Sequence, residues 1–156
     1  MSEKTANKTS ITGSEGPIQD VSEQWGFQRL LGMRIVEWCE GYAVVELSVS
    51  EQHLNRSGMA HGGVLTSLLD TALSLSGLHC PVPGNVRKGM TLSLTTTFIA
   101  PARGGVLRAE GRRRGGGRAT YMASGEVLDA DGNVIAMGEG AFRVRSASQS
   151  PEGEPA

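Results

Sequence analysis

The chain has almost no net charge: 15 Lys and Arg against 16 Asp and Glu leave a formal −1 over 156 residues. With neither sign in excess, the molecule as a whole advertises neither nucleic acid nor a membrane surface, and any such signal must be local. Cysteine is scarce. Cys39 and Cys80 stand alone without a paired spacing, which predicts reduced thiols in or near the core of a cytoplasmic protein rather than a disulfide framework. His53, His61, His79 and Cys80 lack a ligand spacing, so no metal site is expected. A membrane-length apolar run is missing too: residues 64–78 are apolar, but the run is too short to span and carries Asp70. Residues 1–17 are polar and have no apolar centre, so they are not read as a signal peptide. No internal repeat is found.

What is present describes one soluble domain, with 38% hydrophobic and 20% charged residues. Residues 1–19 form an aperiodic polar lead, expected to be disordered, and residues 146–156 a polar tail expected to be flexible. Between them, 20–145 is read as a single domain. Val21, Trp25, Phe27, Leu30 and Leu31 suit a short helix ending near Gly32. Strands are predicted over 33–38 and 43–49, joined across Glu40-Gly41. After the apolar run, Pro81, Pro83 and Gly84 stop the helix. Further strands are predicted over 87–99, 106–114, 119–128 and 134–144, the last pair joined by the turn at 129–133. That order predicts an α+β layout, an antiparallel sheet curled around a single long helix.

The stretch 53–63 and the helix after it carry the chemistry. Val64, Leu65, Leu68, Leu69, Ala72, Leu73, Leu75 and Leu78 leave almost no polar face, so the helix is expected to be buried on most sides. An ionised Asp70 in such a place is costly unless paired or hydrogen-bonded, so it is either functional or a structural acid with a buried partner. Gly62 and Gly63 open the helix. Free N–H groups and the positive dipole end there can polarise an oxygen, although close packing or a tight turn would also call for glycine.

Asn55, Gly58, His61-Gly62-Gly63, Leu69-Asp70 and Ala72, followed by Gly89-Met90-Thr91, Phe98, Pro101-Ala102-Arg103 and Asp131-Gly132, resemble the hotdog-fold acyl-CoA thioesterases of the phenylacetate-degradation (PaaI-like) type. The likeness covers roughly residues 28–145. It implies a hotdog fold and hydrolysis of an acyl-CoA thioester, with no cofactor beyond the coenzyme A of the substrate and no metal. It implies Asp70 as general base or nucleophile and the Gly62 amide as oxyanion donor. Asn55 would hold the water or the carbonyl, and Thr91 would orient the water. A homodimer at least, and a homotetramer as the fuller assembly, also follow from it. His61 is read as a helix cap or positioning residue. His53 and His79 are read as surface or capping residues.

Spacing adds one inference of its own. Gly62 and Asp70 lie about 12 Å apart along a helix rising roughly 1.5 Å per residue. A reacting carbonyl must sit about 3 Å from both its donors and its attacker. One Asp side chain cannot close that gap, so the two ends are expected to meet across a two-fold interface. Coenzyme A contacts are expected from Gly63 and from arginines of the basic segment 103–118, with Arg103 and one of Arg114 or Arg118 favoured. The alternative for those arginines is a solvated strand edge. Alternation sends Arg112 and Arg114 to one face and Arg113 to the other. Two rival functions remain: a hydratase or dehydratase acting on acyl thioesters, and a non-catalytic acyl-CoA binding module.

Overall fold

The computed structural model describes residues 25–156. The expected lead over 1–19 and the start of the first helix lie outside the described residues. The rest of that helix is α1 (Gly26–Leu31). It is followed by a hairpin of β1 (Met33–Cys39) and β2 (Tyr42–Ser48), turning at Glu40-Gly41 as expected. A single turn of 3-10 helix (Glu51–His53) and a loop lead into the long helix α2 (Gly62–Ser76). Two short strands, β3 (Asn85–Val86) and the C-terminal β8 (Glu154–Pro155), pair with each other. Four long strands complete the sheet: β4 (Gly89–Phe98), β5 (Val106–Gly116), β6 (Thr120–Leu128) and β7 (Val134–Val144).

The main sheet is antiparallel, with strand order β1-β2-β5-β6-β7-β4, so β4 forms one free edge. Helix α2 lies across one face and packs against β5, β2, β6, β4 and β7. This is the predicted α+β arrangement of a sheet around one helix.

The core is where the apolar run meets the inward residues of the strands. Leu65, Leu68, Leu69, Ala72, Leu73 and Leu75 of α2 pack with Val45, Leu47, Leu107, Ala109, Tyr121, Val127 and Phe142. Each buried leucine stabilises the fold by about 2 kcal/mol. The approach of helix to sheet depends on glycine. A Cβ at Gly111 would overlap the Ala72 carbonyl, and one at Gly77 would overlap the Tyr121 ring.

Two expectations are corrected. The tail does not hang free: Ser148 is buried, the Lys88 amide donates to its Oγ (2.9 Å), and Arg87 Nε donates to its carbonyl (3.1 Å). Asn85 Nδ2 donates to the Glu152 carbonyl at 2.7 Å, beside the β3–β8 pair. Polar residues without periodicity give no sequence signal for such backbone docking. Cys39 is exposed at the end of β1, whereas Cys80 is buried. Partial desolvation first, and the Glu37 carboxylate second, push the Cys39 thiol up from its ordinary range, so it is a poor nucleophile.

Gly111→Ala is expected to lower unfolding free energy by about 3 kcal/mol, because backbone rather than a mobile side chain occupies the space. A urea denaturation midpoint unchanged from wild type would contradict this close approach.

Candidate active site

The loop entering α2 is held from several sides. His53 is buried; the Ser50 amide donates to its Nδ1 (2.9 Å), so Nε2 carries the proton and donates to the Leu31 carbonyl (2.9 Å). His53 therefore ties the loop to α1, a capping role in the interior rather than at the surface. The His61 amide donates to the His53 carbonyl (2.8 Å), and the Ala60 amide to the Ala102 carbonyl (2.7 Å).

His61 is the N-cap of α2, and its Nδ1 accepts from the Gly63 amide at 2.9 Å. The amides of Val64 and Leu65 donate to the His61 carbonyl (2.9 and 3.3 Å). That leaves Gly62 as the amide of the first turn with no hydrogen bond among the described residues. An unused donor at a helix N-terminus, reinforced by the macrodipole, is suited to a carbonyl oxygen gaining negative charge. The Phe98 ring, at the end of β4, lies against Gly62: a Cβ there would stand 3.1 Å from Phe98 Cζ.

Eight residues along the same helix is Asp70. It is half-buried, not enclosed as the apolar run suggested. Its neighbours on the run face the sheet, while Gly62, Thr66 and Asp70 form a stripe on the side of α2 towards β4 (i, i+4, i+8), which no further strand covers. Thr91 Oγ1 donates to Asp70 Oδ1 at 2.6 Å, a short bond of the kind a carboxylate accepts. The far end of α2 is anchored by donors to its last carbonyls. Trp38 Nε1 donates to Leu75 O (2.8 Å), Tyr121 OH to Ser74 O (2.5 Å) and Arg87 to Gly77 O (3.3 Å). Burial pushes the Tyr121 hydroxyl far above the ordinary phenol range, so it stays a donor.

The structure brings Gly62, Gly63 and His61 together at one end of α2, and Asp70 and Thr91 together two turns on. It does not bring the two groups into contact within one chain. Asn55 builds the loop: its Oδ1 accepts from the amides of Ser57 (2.9 Å) and Met59 (3.2 Å), which makes it a turn asparagine on the approach to the site. Arg103 is exposed next to Ala102, which holds this same loop. Arg118 is exposed beyond the end of β5. Arg114 donates from Nε to Ser124 Oγ (2.7 Å) and lines a polar cavity of about 500 Å³ with Arg112, Glu126 and Glu139. That cavity is on the sheet face away from α2. Arg113 points to the other face, over the Tyr121 ring, so the expected alternation is seen.

Phe98 carried part of the resemblance, but nothing in the sequence assigned it a place at the helix start. The available signal was an aromatic residue closing a Thr-rich strand just before Pro101, too brief a pattern to place it on Gly62. A smaller cavity of about 380 Å³ opens beside the helix N-terminus, lined by Phe27, Leu31, Leu54, His61, Gly63 and Val64 among others. Among the described residues, no helix is long and apolar enough to cross a membrane, and no cluster of His, Cys, Asp and Glu is placed to hold a metal ion.

An antiparallel six-stranded sheet laid over one long helix is the hotdog fold. Within that class, residues 57–136 match the thioesterase superfamily. A putative esterase of Archaeoglobus fulgidus is 32% identical over 114 residues, covering 71% of this chain and 70% of that protein. The acyl-coenzyme A thioesterase PaaI of Escherichia coli is 31% identical over 113 residues, covering 72% and 77%. The solved structure of the E. coli PaaI protein superposes with a TM-score of 0.68 at 28% identity, over 77% of this chain and 84% of that one. The chain belongs to the thioesterase superfamily, and it is a thioester hydrolase.

His61→Ala removes the acceptor of the Gly63 amide and is expected to cost about 1 kcal/mol of stability. His61→Asn should recover most of it. Equal melting temperatures for all three proteins would contradict the capping role.

Proposed function

We propose that the protein hydrolyses acyl-CoA thioesters at a site shared between two copies, with Gly62 of one protomer facing the partner's Asp70. The observation that carries the proposal is the pair of unfinished half-sites on one rigid helix, an unbonded Gly62 amide and an Asp70 carboxylate about 12 Å further along. No rotamer of Asp70 spans that distance, whereas a two-fold pairing of antiparallel helices closes it twice.

The β4 edge supports such a pairing. Met90, Leu92 and Phe98 on β4, with Ile99 after it, are 49%, 53%, 55% and 53% exposed. An uncovered edge strand with a row of apolar side chains is a template for a second copy. A homodimer is therefore the minimal unit of the proposal, and a homotetramer built from two of them is the fuller assembly.

In the proposed reaction the thioester carbonyl oxygen accepts from the Gly62 amide, a contact whose loss costs roughly 10²–10³ in rate in comparable sites. The partner's Asp70 either takes a proton from the attacking water or attacks the carbonyl carbon itself to give a mixed anhydride that water then opens. Either way the thiolate of coenzyme A leaves, and the products are a free acid and CoA. Thr91 holds the carboxylate in place. The cavity beside the helix start offers room for an aryl or medium-chain acyl group. Asn55 shapes the loop that leads into it, and exposed Arg103, beside the Ala102 that holds this loop, is offered to a CoA phosphate. The proposal calls for no metal and no cofactor. It fits a cytoplasmic enzyme whose partners are its substrate and its own copies.

Asp70→Asn is expected to lose most of kcat, about 10³-fold, while still binding CoA. Gly62→Pro deletes the amide hydrogen at a helix position that tolerates proline, and is expected to be similarly slow. Co-refolding the two inactive proteins should restore up to about a quarter of wild-type activity, because about half of the dimers are then mixed and each mixed dimer contains one intact site of two. A mixture no more active than its components would exclude the shared site. Free thiol released from a panel of acyl-CoA esters reads the activity, and a change in the double bond of a crotonyl thioester without thiol release would instead favour a hydratase.

A further inference from the structure

Five hydroxyl side chains lie on α2, and four return to their own helix. Ser67 Oγ donates to the Gly63 carbonyl (2.7 Å) and Thr71 Oγ1 to that of Ser67 (2.9 Å). Ser74 Oγ donates to the Thr71 carbonyl (3.1 Å) and Ser76 Oγ to that of Leu73 (2.7 Å). This is the ordinary resting place of a helical hydroxyl. Thr66 is the exception: half-buried, it makes no side-chain hydrogen bond among the described residues. It stands one turn after Gly62 and one turn before Asp70, on the same uncovered stripe.

We propose that Thr66 is a positioning residue that acts in trans, donating its hydroxyl hydrogen to the second carboxylate oxygen of the partner's Asp70. The inference rests on the shared site argued above. An antiparallel two-fold that sets Gly62 against the partner's Asp70 must have its axis at Thr66, midway between them. Side chains on a helix lean towards its N-terminus. The partner's Asp70 therefore leans towards the axis, and Thr66 leans from the axis towards Gly62. The two enter the same gap from opposite ends. That closes their one-turn offset of roughly 6 Å to hydrogen-bond reach.

Asp70 Oδ1 is already held within the chain by Thr91. A second hydroxyl from the facing helix fixes the plane of the carboxylate, and each oxygen keeps a further lone pair for the water or the thioester. The same contact links formation of the dimer to alignment of the catalytic carboxylate. The one free hydroxyl on the helix is then at the position where a copy of the helix would use it.

The test compares Thr66→Val, which keeps the shape and loses the hydroxyl, with Thr66→Ser, which keeps the hydroxyl. Steady-state hydrolysis of an acyl-CoA ester is measured on proteins whose dimeric state has been checked by sedimentation. Thr66→Val is expected to lower kcat about tenfold with KM within twofold, the loss of one hydrogen bond to a charged group. Thr66→Ser should stay within threefold of wild type. A dimeric Thr66→Val protein with wild-type kcat overturns the inference while leaving the shared site standing. If Thr66→Val fails to form dimers, Thr66→Ala against Thr66→Ser decides in the same way, and equal rates overturn it. A wild-type dimer that releases no thiol from any acyl-CoA sinks the shared site and this inference together.

Discussion

A helix does not bend to bring its own first turn to its third. That rigidity is the constraint on which the rest of the molecule depends. Gly62 and Asp70 ride on one rod, with leucines packed into the sheet between and around them. Neither can approach the other unless α2 unwinds, which would expose the core. The chain fixes both ends of the rod: His61 caps its start, and Trp38, Tyr121 and Arg87 bond its final carbonyls. What remains unsatisfied, the Gly62 amide and the uncovered stripe through Thr66 and Asp70, is what the proposed reaction uses.

The sheet explains why that stripe is open. Its strand order leaves β4 at the edge, and β4 is the strand that brings Phe98 to Gly62 and Thr91 to Asp70. Side chains that touch both half-sites therefore come from the strand that lacks a neighbour. In the proposed dimer, pairing that edge with a second copy would cover its apolar residues and complete the site in one event, which would couple assembly to chemistry by topology rather than by a moving part. The outer face of the sheet is different in kind. There Arg108 bonds Glu46 and Glu110 (3.2 and 3.1 Å), and Arg114 and Arg112 line a polar cavity away from the helix.

Much of this was legible in the residues. The strand and helix order followed from apolar periodicity and from turn residues such as Glu40-Gly41 and 129–133, because those signals are local. The choice of 61–63 and 70 as candidates followed from chemistry: glycines opening a helix, then one carboxylate in an apolar run. The partial exposure of Asp70 was not legible, since periodicity cannot tell a side that faces a sheet from one that no strand covers. The docking of the tail pairs single side chains with backbone groups 60 and 67 residues away, the Lys88 amide with Ser148 Oγ and Asn85 Nδ2 with the Glu152 carbonyl, and so distant a pairing leaves no local pattern in the sequence. His53 was read as a surface or capping residue; it caps, but from the interior, because its two ring bonds join Ser50, three residues away, to Leu31, in another element. Asn55 was legible as a special asparagine, and its Oδ1 is spent on its own turn.

The most direct measurement is a crystal structure of the protein with a non-hydrolysable acyl-CoA analogue bound. The account requires the analogue's carbonyl oxygen within about 3 Å of one protomer's Gly62 nitrogen, with the carboxylate of the partner's Asp70 within about 4 Å of the carbonyl carbon or joined to it by one water. An analogue lodged against Gly62 with every Asp70 carboxylate in the crystal on the far side of a protein wall would contradict it.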